Sequence, residues 1–395
     1  MGIATATHDH APVTPARFDV VIAGAGVVGA ALASALRELD LNVIVVAPMP
    51  HDLVSSGERA PVRPIALSFP SRDALGALGL LNDDAGTPIR TIHVSQRGRF
   101  GRTVLHASEH GLSALGFVFD AARLERGAYQ RVAPCHTASR VVGWSGTPDL
   151  VNVTLDDGAG TRRIDTRLLV LADGGALARL ETVHDYSQVA WFGTVHTNKA
   201  HANIAYERFT NEGPLALLPF GDRYAFVWAT SRARADTMPT ADDAFCAALA
   251  EAFGERLGRF DRVSPRSRIP LALKRERDQH GARVVAIGNA AQMLHPVAGQ
   301  GLNLGLRDAL ELAKMIRSTP RARLGDAAFI RAFARKRWAD RTATITATDL
   351  FARIFSNADP VISALGGLGL AVLDAAPHAR GFLARRMMLG ARGIP

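Results

Sequence analysis

The sequence predicts an α/β fold: a Rossmann-like dinucleotide-binding domain, an inserted antiparallel-sheet domain and a helical C-terminus. Three observations carry that reading. An apolar run from Phe18 to Ala23 leads into Gly24-Ala25-Gly26-Val27-Val28-Gly29 and an Ala/Leu-rich stretch to Leu39, the strand, glycine turn and helix of a dinucleotide fold. Two more apolar runs, Leu168 to Ala172 and Arg283 to Ile287, have the composition of strands covered on both faces. Each ends in glycine chemistry, Asp173-Gly174-Gly175 after the first and Gly288-Asn289 after the second. The chain between them has the alternation and aromatic content of antiparallel hairpins.

In the first turn, Gly24 permits the tight bend, Gly26 lets backbone N–H groups reach a pyrophosphate, and Gly29 lets the helix pack close to the strand. The helix N-terminus adds partial positive charge where phosphates would sit. The next strand, Asn42 to Val46, is expected to end in an acidic residue for the adenosine ribose, but Ala47 and Pro48 stand there. Either other groups hold the ribose or adenosine affinity is reduced, and the first is favoured. Gly288 to Asp308 contains four glycines and one proline where a strand hands over to a helix. So little side-chain bulk lets a flat ligand such as a flavin ring lie against backbone.

Gly213 to Phe220 and Tyr224 to Thr230, joined by Gly221-Asp222-Arg223, predict one hairpin. Ile89 to Ser95 and Thr103 to His106 predict a second, and the two are expected to build a substrate sheet. Phe245, Leu249, Phe253 and Leu257 recur every four residues, as on the buried stripe of a helix. From Asp326 onward the pattern is helical, and Asp359-Pro360 can start a last helix. The expected division is a disordered N-terminus over 1–17, a discontinuous nucleotide-binding domain over 18–88, 107–180 and 275–325, a substrate domain over 89–106 and 181–274, and a C-terminal helical region over 326–395.

With 395 residues, 48% of them hydrophobic, the chain can bury a large core. Cys135 and Cys246 are isolated, so neither a disulfide framework nor a metal site is expected, and a reducing cytoplasm fits. The formal charge is +9, yet the arginines are scattered and Lys199, Lys274, Lys314 and Lys336 are the only lysines. No nucleic-acid motif accompanies them, and no nucleic-acid partner is expected. Val361 to Leu373 is too short for a membrane span, which needs about 20 apolar residues. Arg380, Arg385 and Arg386 among Phe382, Leu383, Met387, Met388 and Leu389 leave open a helical cover over the nucleotide domain or a docking surface for a partner or for the inner face of a membrane.

These pieces together resemble the aromatic-ring hydroxylases of ubiquinone biosynthesis, a branch of the single-component FAD monooxygenases with the p-hydroxybenzoate hydroxylase fold. The resemblance rests on Ile92-His93-Val94-Ser95-Gln96-Arg97-Gly98, on Glu207-Arg208-Phe209-Thr210 leading into Gly213-Pro214-Leu215, and on Gly288-Asn289-Ala290-Ala291-Gln292 continuing through His295-Pro296 to Gly305. Asp340-Arg341 followed by Thr348-Asp349 also fits. Within the branch, the pattern is most similar to members acting on 2-polyprenyl-6-methoxyphenol.

The resemblance implies FAD as resident cofactor and NAD(P)H as transient reductant, since no second GxGxxG follows a strand. It implies a flavin C4a-hydroperoxide that hydroxylates a polyprenylated phenol with O2. Gly24, Gly26 and Gly29 would hold the pyrophosphate, and Asp173-Gly174 would contact both FAD and the nicotinamide cofactor. Asn289 replaces the usual Asp at the ribityl chain, and Arg63 matches an arginine near the flavin, although Pro61 stands where an acidic residue often precedes it. Gly299, Gln300, Gly301, Leu302 and Asn303 would lie against the pyrimidine edge of the flavin. His295 and Pro296 are the candidates for a catalytic role. Leu177, Leu180 and Ala121 depart from the family's Ser, Arg and Arg, and no carboxylate is assigned as the base for the phenol. Hydroxylation of another ring position or another phenol stays open, as does a non-catalytic subunit of a quinone-biosynthesis complex, whose other subunits would be the docking partner.

Overall fold

The computed structural model describes residues 16–48, 61–81, 86–99, 101–178, 180–276, 282–296, 299–355, 360–376, 378–382 and 385. Residues 1–15 of the expected N-terminal segment and most of Phe382 to Leu389 lie outside the described residues, whereas Ala16 and Arg17, expected with the disordered end, begin the first strand.

The apolar runs form the parallel centre of a seven-stranded sheet. Ala16–Ala23 pairs in parallel with Val43–Ala47 on one side and with Thr161–Leu171 on the other, and the C-terminal end of Thr161–Leu171 pairs in parallel with Val284–Ala286. Val20, Ile22, Leu168 and Val170 pack against the helices Val27–Leu36 and Gln300–Arg317, while Val21, Ala23, Leu169 and Leu171 pack toward Val151, Val153 and Leu155. Burial on both faces is why these strands read as unbroken apolar runs. The first helix ends at Leu36 rather than Leu39, because its last turn tightens through Arg37 N to Ser34 O at 3.3 Å and Leu39 N to Leu36 O at 3.0 Å.

Both expected hairpins lie in a second, nine-stranded sheet, except that Ile89, expected to open the second, ends a separate strand Thr87–Ile89 that pairs with Gly116–Asp120. Pro214–Phe220 and Arg223–Ser231 form one, and Thr91–Gln96 and Arg102–His106 form the other. They meet across Ile204–Phe209, which runs antiparallel to Pro214–Phe220 and parallel to Thr91–Gln96. One face of this sheet buries Phe245, Leu249 and Phe253 of the helix Asp242–Phe253. Gly254, with φ +89°, stops that helix, so Leu257 falls in the turn that follows yet still joins the same core.

The edge strand Arg102–His106 is covered by the helix Pro360–Ala375. Thr103 Oγ1 donates to Leu370 O at 2.7 Å, and Asp374 Oδ1 accepts from Val104 N at 3.1 Å. The sheet edge is thereby covered, with the Val104 N–H satisfied by Asp374.

The long helix Ala327–Phe355 is held by ion pairs. Asp308, with no exposed surface, accepts from Arg337 Nε at 2.6 Å and from the Arg341 terminal nitrogen at 3.0 Å. It also accepts from Gly288 N at 3.2 Å and Gln292 Nε2 at 3.3 Å. Asp340 binds Arg307 at 2.9 Å and Arg337 at 2.6 Å. Burial pushes the Asp308 carboxyl up, but Arg341 and Arg337 outweigh it and hold it below the usual carboxylate range. Asp308→Asn removes that charge, leaving Arg341 without its buried carboxylate and Arg337 with Asp340 alone, which costs about 3–5 kcal/mol. Urea unfolding measures this, and a loss under about 1 kcal/mol would show that the network is not what anchors the Gly288 turn.

Candidate active site

The glycine turns converge because the strands that precede them end side by side. Gly24 N bonds Val46 O at 2.8 Å, Ala172 N bonds Ala23 O at 2.8 Å, and Ile287 N bonds Leu171 O at 3.0 Å. Beyond these carboxyl ends, where α/β sheets bind ligands, lies a cavity of about 1420 Å³. A typical small-molecule pocket spans roughly 300–1,000 Å³, so this one has room for a dinucleotide cofactor and a second ligand.

The cavity is lined by Gly24, Gly26, Arg63, Asp173, Gly174, Asn289, His295, Pro296, Gly299, Gln300, Gly301, Leu302 and Asn303. Gly29 is the one candidate that does not line it. A Cβ there would stand 2.1 Å from Gly24 O, so Gly29 supports the turn from behind, as its packing role requires. Gly24 combines φ +123° with a would-be Cβ at 2.3 Å from Ala172 O, which only glycine can meet. Gly26, Gly174 and Gly301 differ: a Cβ at any of them meets nothing within 4 Å and would project into open space. That is the cradle a flat, phosphate-bearing ligand needs.

Two helix N-termini face this cradle. The helix Val27–Leu36 starts from Gly26 and Gln300–Arg317 from Gly299, and neither has a side chain capping its first turn. Their first-turn backbone N–H groups and positive dipole ends are suited to phosphate and to an anionic ring edge.

Several candidates serve the frame rather than the space. Asn303 is 2% exposed; its Oδ1 accepts from Ser68 N at 2.9 Å, while Nδ2 donates to Ala66 O at 3.0 Å and Gly299 O at 2.8 Å. Its amide therefore pins the Gly299 turn to the strand Pro64–Ser68. Asp173 turns its carboxylate to Gly175 N at 3.3 Å and Leu177 N at 2.6 Å, closing the turn after the strand. Leu177 thus takes part through its backbone, which its side chain could not have announced. Asn289 is exposed toward the cavity, and Arg63 forms an ion pair with Glu125. Ala121 is buried at the start of the helix Ala121–Val132, but Glu125 and Arg126 of that helix reach the cavity, as does Arg140. Ala47 gives its carbonyl to His136 Nε2 at 2.8 Å.

His295 is 1% exposed. Gln188 donates its amide nitrogen to Glu212 O at 2.7 Å, so its oxygen accepts from His295 Nε2 at 3.2 Å. The Tyr186 ring meets the imidazole edge-on at 4.9 Å, and its hydroxyl donates to Asp349 at 2.8 Å. Burial lowers the His295 pKa to about 4 against the opposing pull of Asp349. The ring is therefore neutral at pH 7, a hydrogen-bonding group rather than a cation.

Because Gly301 has no protein neighbour at its Cβ position, Gly301→Leu should leave folding intact while blocking the cradle. FAD titration is expected to show at least tenfold weaker binding, about 1.4 kcal/mol, with an unchanged urea midpoint for the FAD-free protein. Unchanged affinity would remove Gly301 from the site.

The family model described as FAD binding domain matches residues 17–330. The chain is 31% identical over 377 residues to the ubiquinone hydroxylase UbiL of Rhodospirillum rubrum, spanning 90% of this chain and 86% of the relative. It is 26% identical to the 3-demethoxyubiquinol 3-hydroxylase of Escherichia coli, spanning 95% of this chain and 98% of that one. Among solved structures, the p-nitrophenol 4-monooxygenase PnpA of Pseudomonas putida shares the fold with a TM-score of 0.74 at 15% identity, over 95% of this chain and 100% of that chain. The expected p-hydroxybenzoate hydroxylase-like architecture is thus borne out. The chain belongs to the FAD-binding-domain family, among its FAD-dependent monooxygenases.

Proposed function

We propose that the protein hydroxylates a polyprenylated phenol, 2-polyprenyl-6-methoxyphenol, in ubiquinone biosynthesis, with FAD resident and NAD(P)H as transient reductant. One observation carries the reading: a single cavity joins the glycine cradle to an apolar sheet face that includes Ile92, Leu105, Leu218, Val227 and Leu271. A prenylated ring needs both surroundings at once. UbiL and the Escherichia coli relative, named for ubiquinone-type substrates, support the pathway.

In this reading Gly24 and Gly26 bind the pyrophosphate through backbone N–H groups, and Gly29 keeps their turn in place. Asp173-Gly174 and Asn289 line the path of the ribityl chain, with Asn289 donating or accepting a hydrogen bond where the wider family has a carboxylate. Glu125 supplies a carboxylate for the ribose that Ala47 cannot. Gly299 to Asn303 flank the flavin ring, and Asn303 acts by fixing their backbone. When bound and reduced, FAD supplies the oxygen-activating chemistry. The chain's part is to position the ring and exclude water. His295, neutral and held by Gln188, offers a hydrogen bond beside the reacting ring, and Pro296 shapes that loop.

Among the described residues no helix is long and apolar enough to cross a membrane. The helix Pro360–Ala375 nevertheless turns Leu370 and Leu373 into the cavity while Leu368 and Val372 are 61% and 59% exposed. This two-sided helix suits a mouth where an oily tail passes from a membrane surface.

A strain lacking the protein should accumulate 2-polyprenyl-6-methoxyphenol or its immediate precursor on chromatography of quinone intermediates. Complementation by the wild-type gene should clear it, and a Leu368→Glu, Val372→Glu variant should clear it less well at equal protein level. An unchanged precursor profile would contradict the function. Accumulation of a precursor lacking a different ring hydroxyl would move the assignment to that position, and full clearance by the variant would remove the membrane role.

A further inference from the structure

Around Glu207 the cavity face of the second sheet is apolar apart from Thr103, while Thr182, Asp185 and Lys274 reach the cavity farther along the sheet. Strand pairing sets Thr103, Val94, Glu207, Ala216, Val227 and Phe192 in one row across six strands, and all six line the cavity. Thr103 is committed to Leu370 O, which leaves Glu207 as the row's one ionisable side chain. Its neighbours along the same strand face are Ala205 and Phe209. Among the described residues no hydrogen bond or ion pair reaches the Glu207 carboxyl. Arg208, next in sequence, points to the opposite face, toward Ser95 and the Phe253 ring.

An unpaired carboxyl in such a place costs stability, and its aim into a ligand cavity supplies the reason to keep it. We propose that Glu207 is the catalytic residue that accepts the phenolic proton of the aromatic substrate, an inference resting on the phenol reading above. The proton leaves the phenol oxygen for a Glu207 carboxylate oxygen, and the electron pair stays on the ring, which becomes the more nucleophilic phenolate. After oxygen is added at the ring carbon, that carbon loses its hydrogen as a proton to water. The carboxylic acid returns its own proton to the ring oxygen, restoring both the phenol and the carboxylate.

The chemistry of the pair is matched. Burial pushes the Glu207 pKa up to about 8. Against an unperturbed phenol near 10, proton transfer is then uphill by about two pKa units, where an ordinary glutamate at about 4.3 would face nearly six. The working form is the carboxylate, so the rate rises with pH until the group is fully ionised. Thr103 and the apolar residues of the row do not titrate; the same sheet also brings Asp185 and Lys274 to the cavity, and across it His295, whose pKa burial lowers to about 4, is neutral throughout the limb.

The test uses the FAD-loaded full chain with NAD(P)H, O2 and a soluble probe, a 2-methoxyphenol. Wild-type kcat/KM should climb about tenfold per pH unit and level off near pH 8. Glu207→Gln should lose that limb and about 100-fold or more of the rate, while keeping its flavin absorbance, and Glu207→Asp should recover part of the limb. In the oxidised enzyme, bound 4-nitrophenol should show more phenolate absorbance in wild type than in Glu207→Gln at the same pH. A wild-type profile without a limb between pH 7 and 9 overturns the inference whatever the variants do. A Glu207→Gln enzyme with unchanged kcat/KM, or an unchanged phenolate fraction, overturns Glu207 alone. Failure of wild type to hydroxylate any phenol removes the underlying function and this role with it.

Discussion

The site depends on one buried charge. Asp308 has no exposed surface, and on it converge a backbone N–H from Gly288, an amide from Gln292 and guanidiniums from Arg337 and Arg341. Through those contacts it joins the glycine turn to the helix Gln300–Arg317 and to the long helix Ala327–Phe355. Arg341 also donates to Ala286 O at 3.2 Å, the last residue of the strand that delivers the turn. A carboxylate taken from water this completely is tolerated only when paired and hydrogen-bonded. The arrangement is then directional, and it leaves the cradle little freedom to move.

Two consequences follow for chemistry. The helix that Asp308 anchors begins at Gly299 with an uncapped N-terminus, so the same interaction that stabilises the fold aims positive backbone dipoles into the cavity. Across that space lies a largely apolar stretch of sheet from which the Glu207 carboxyl projects. Preorganised dipoles on one side and a dry surface on the other are what the FAD-dependent chemistry asks of its protein.

Much of this was legible in the chain. The strand-turn-helix at Gly24 to Gly29, the apolar runs ending in Gly174 and Gly288, and both hairpins announce themselves through short-range periodicity and glycine chemistry. Other features were not, because they are made by distant residues. Asn303 reads as a flavin contact, yet its amide is consumed by Ala66 and Ser68, more than 200 positions earlier in the chain. Glu125 and Arg126 reach the cavity from a helix whose sequence carries no motif. Glu207 stands in a segment that carries the family resemblance but was given no role, because only the pairing of Ile204–Phe209 shows that its face borders the cavity. The helix stripe ending at Leu257 continued past the helix itself because Gly254 breaks the backbone without breaking the core.

The central claim is that glycine-lined turns from three parts of the chain hold one flavin at the rim of an oily chamber. A crystal structure of the FAD-loaded protein with a bound phenol tests it most directly. The account predicts pyrophosphate at Gly26, the isoalloxazine ring along Gly299 to Asn303, and the phenol oxygen within hydrogen-bond reach of Glu207. An isoalloxazine ring placed away from Gly299 to Asn303, or a phenol bound on the far side of the sheet with Phe253, would contradict it.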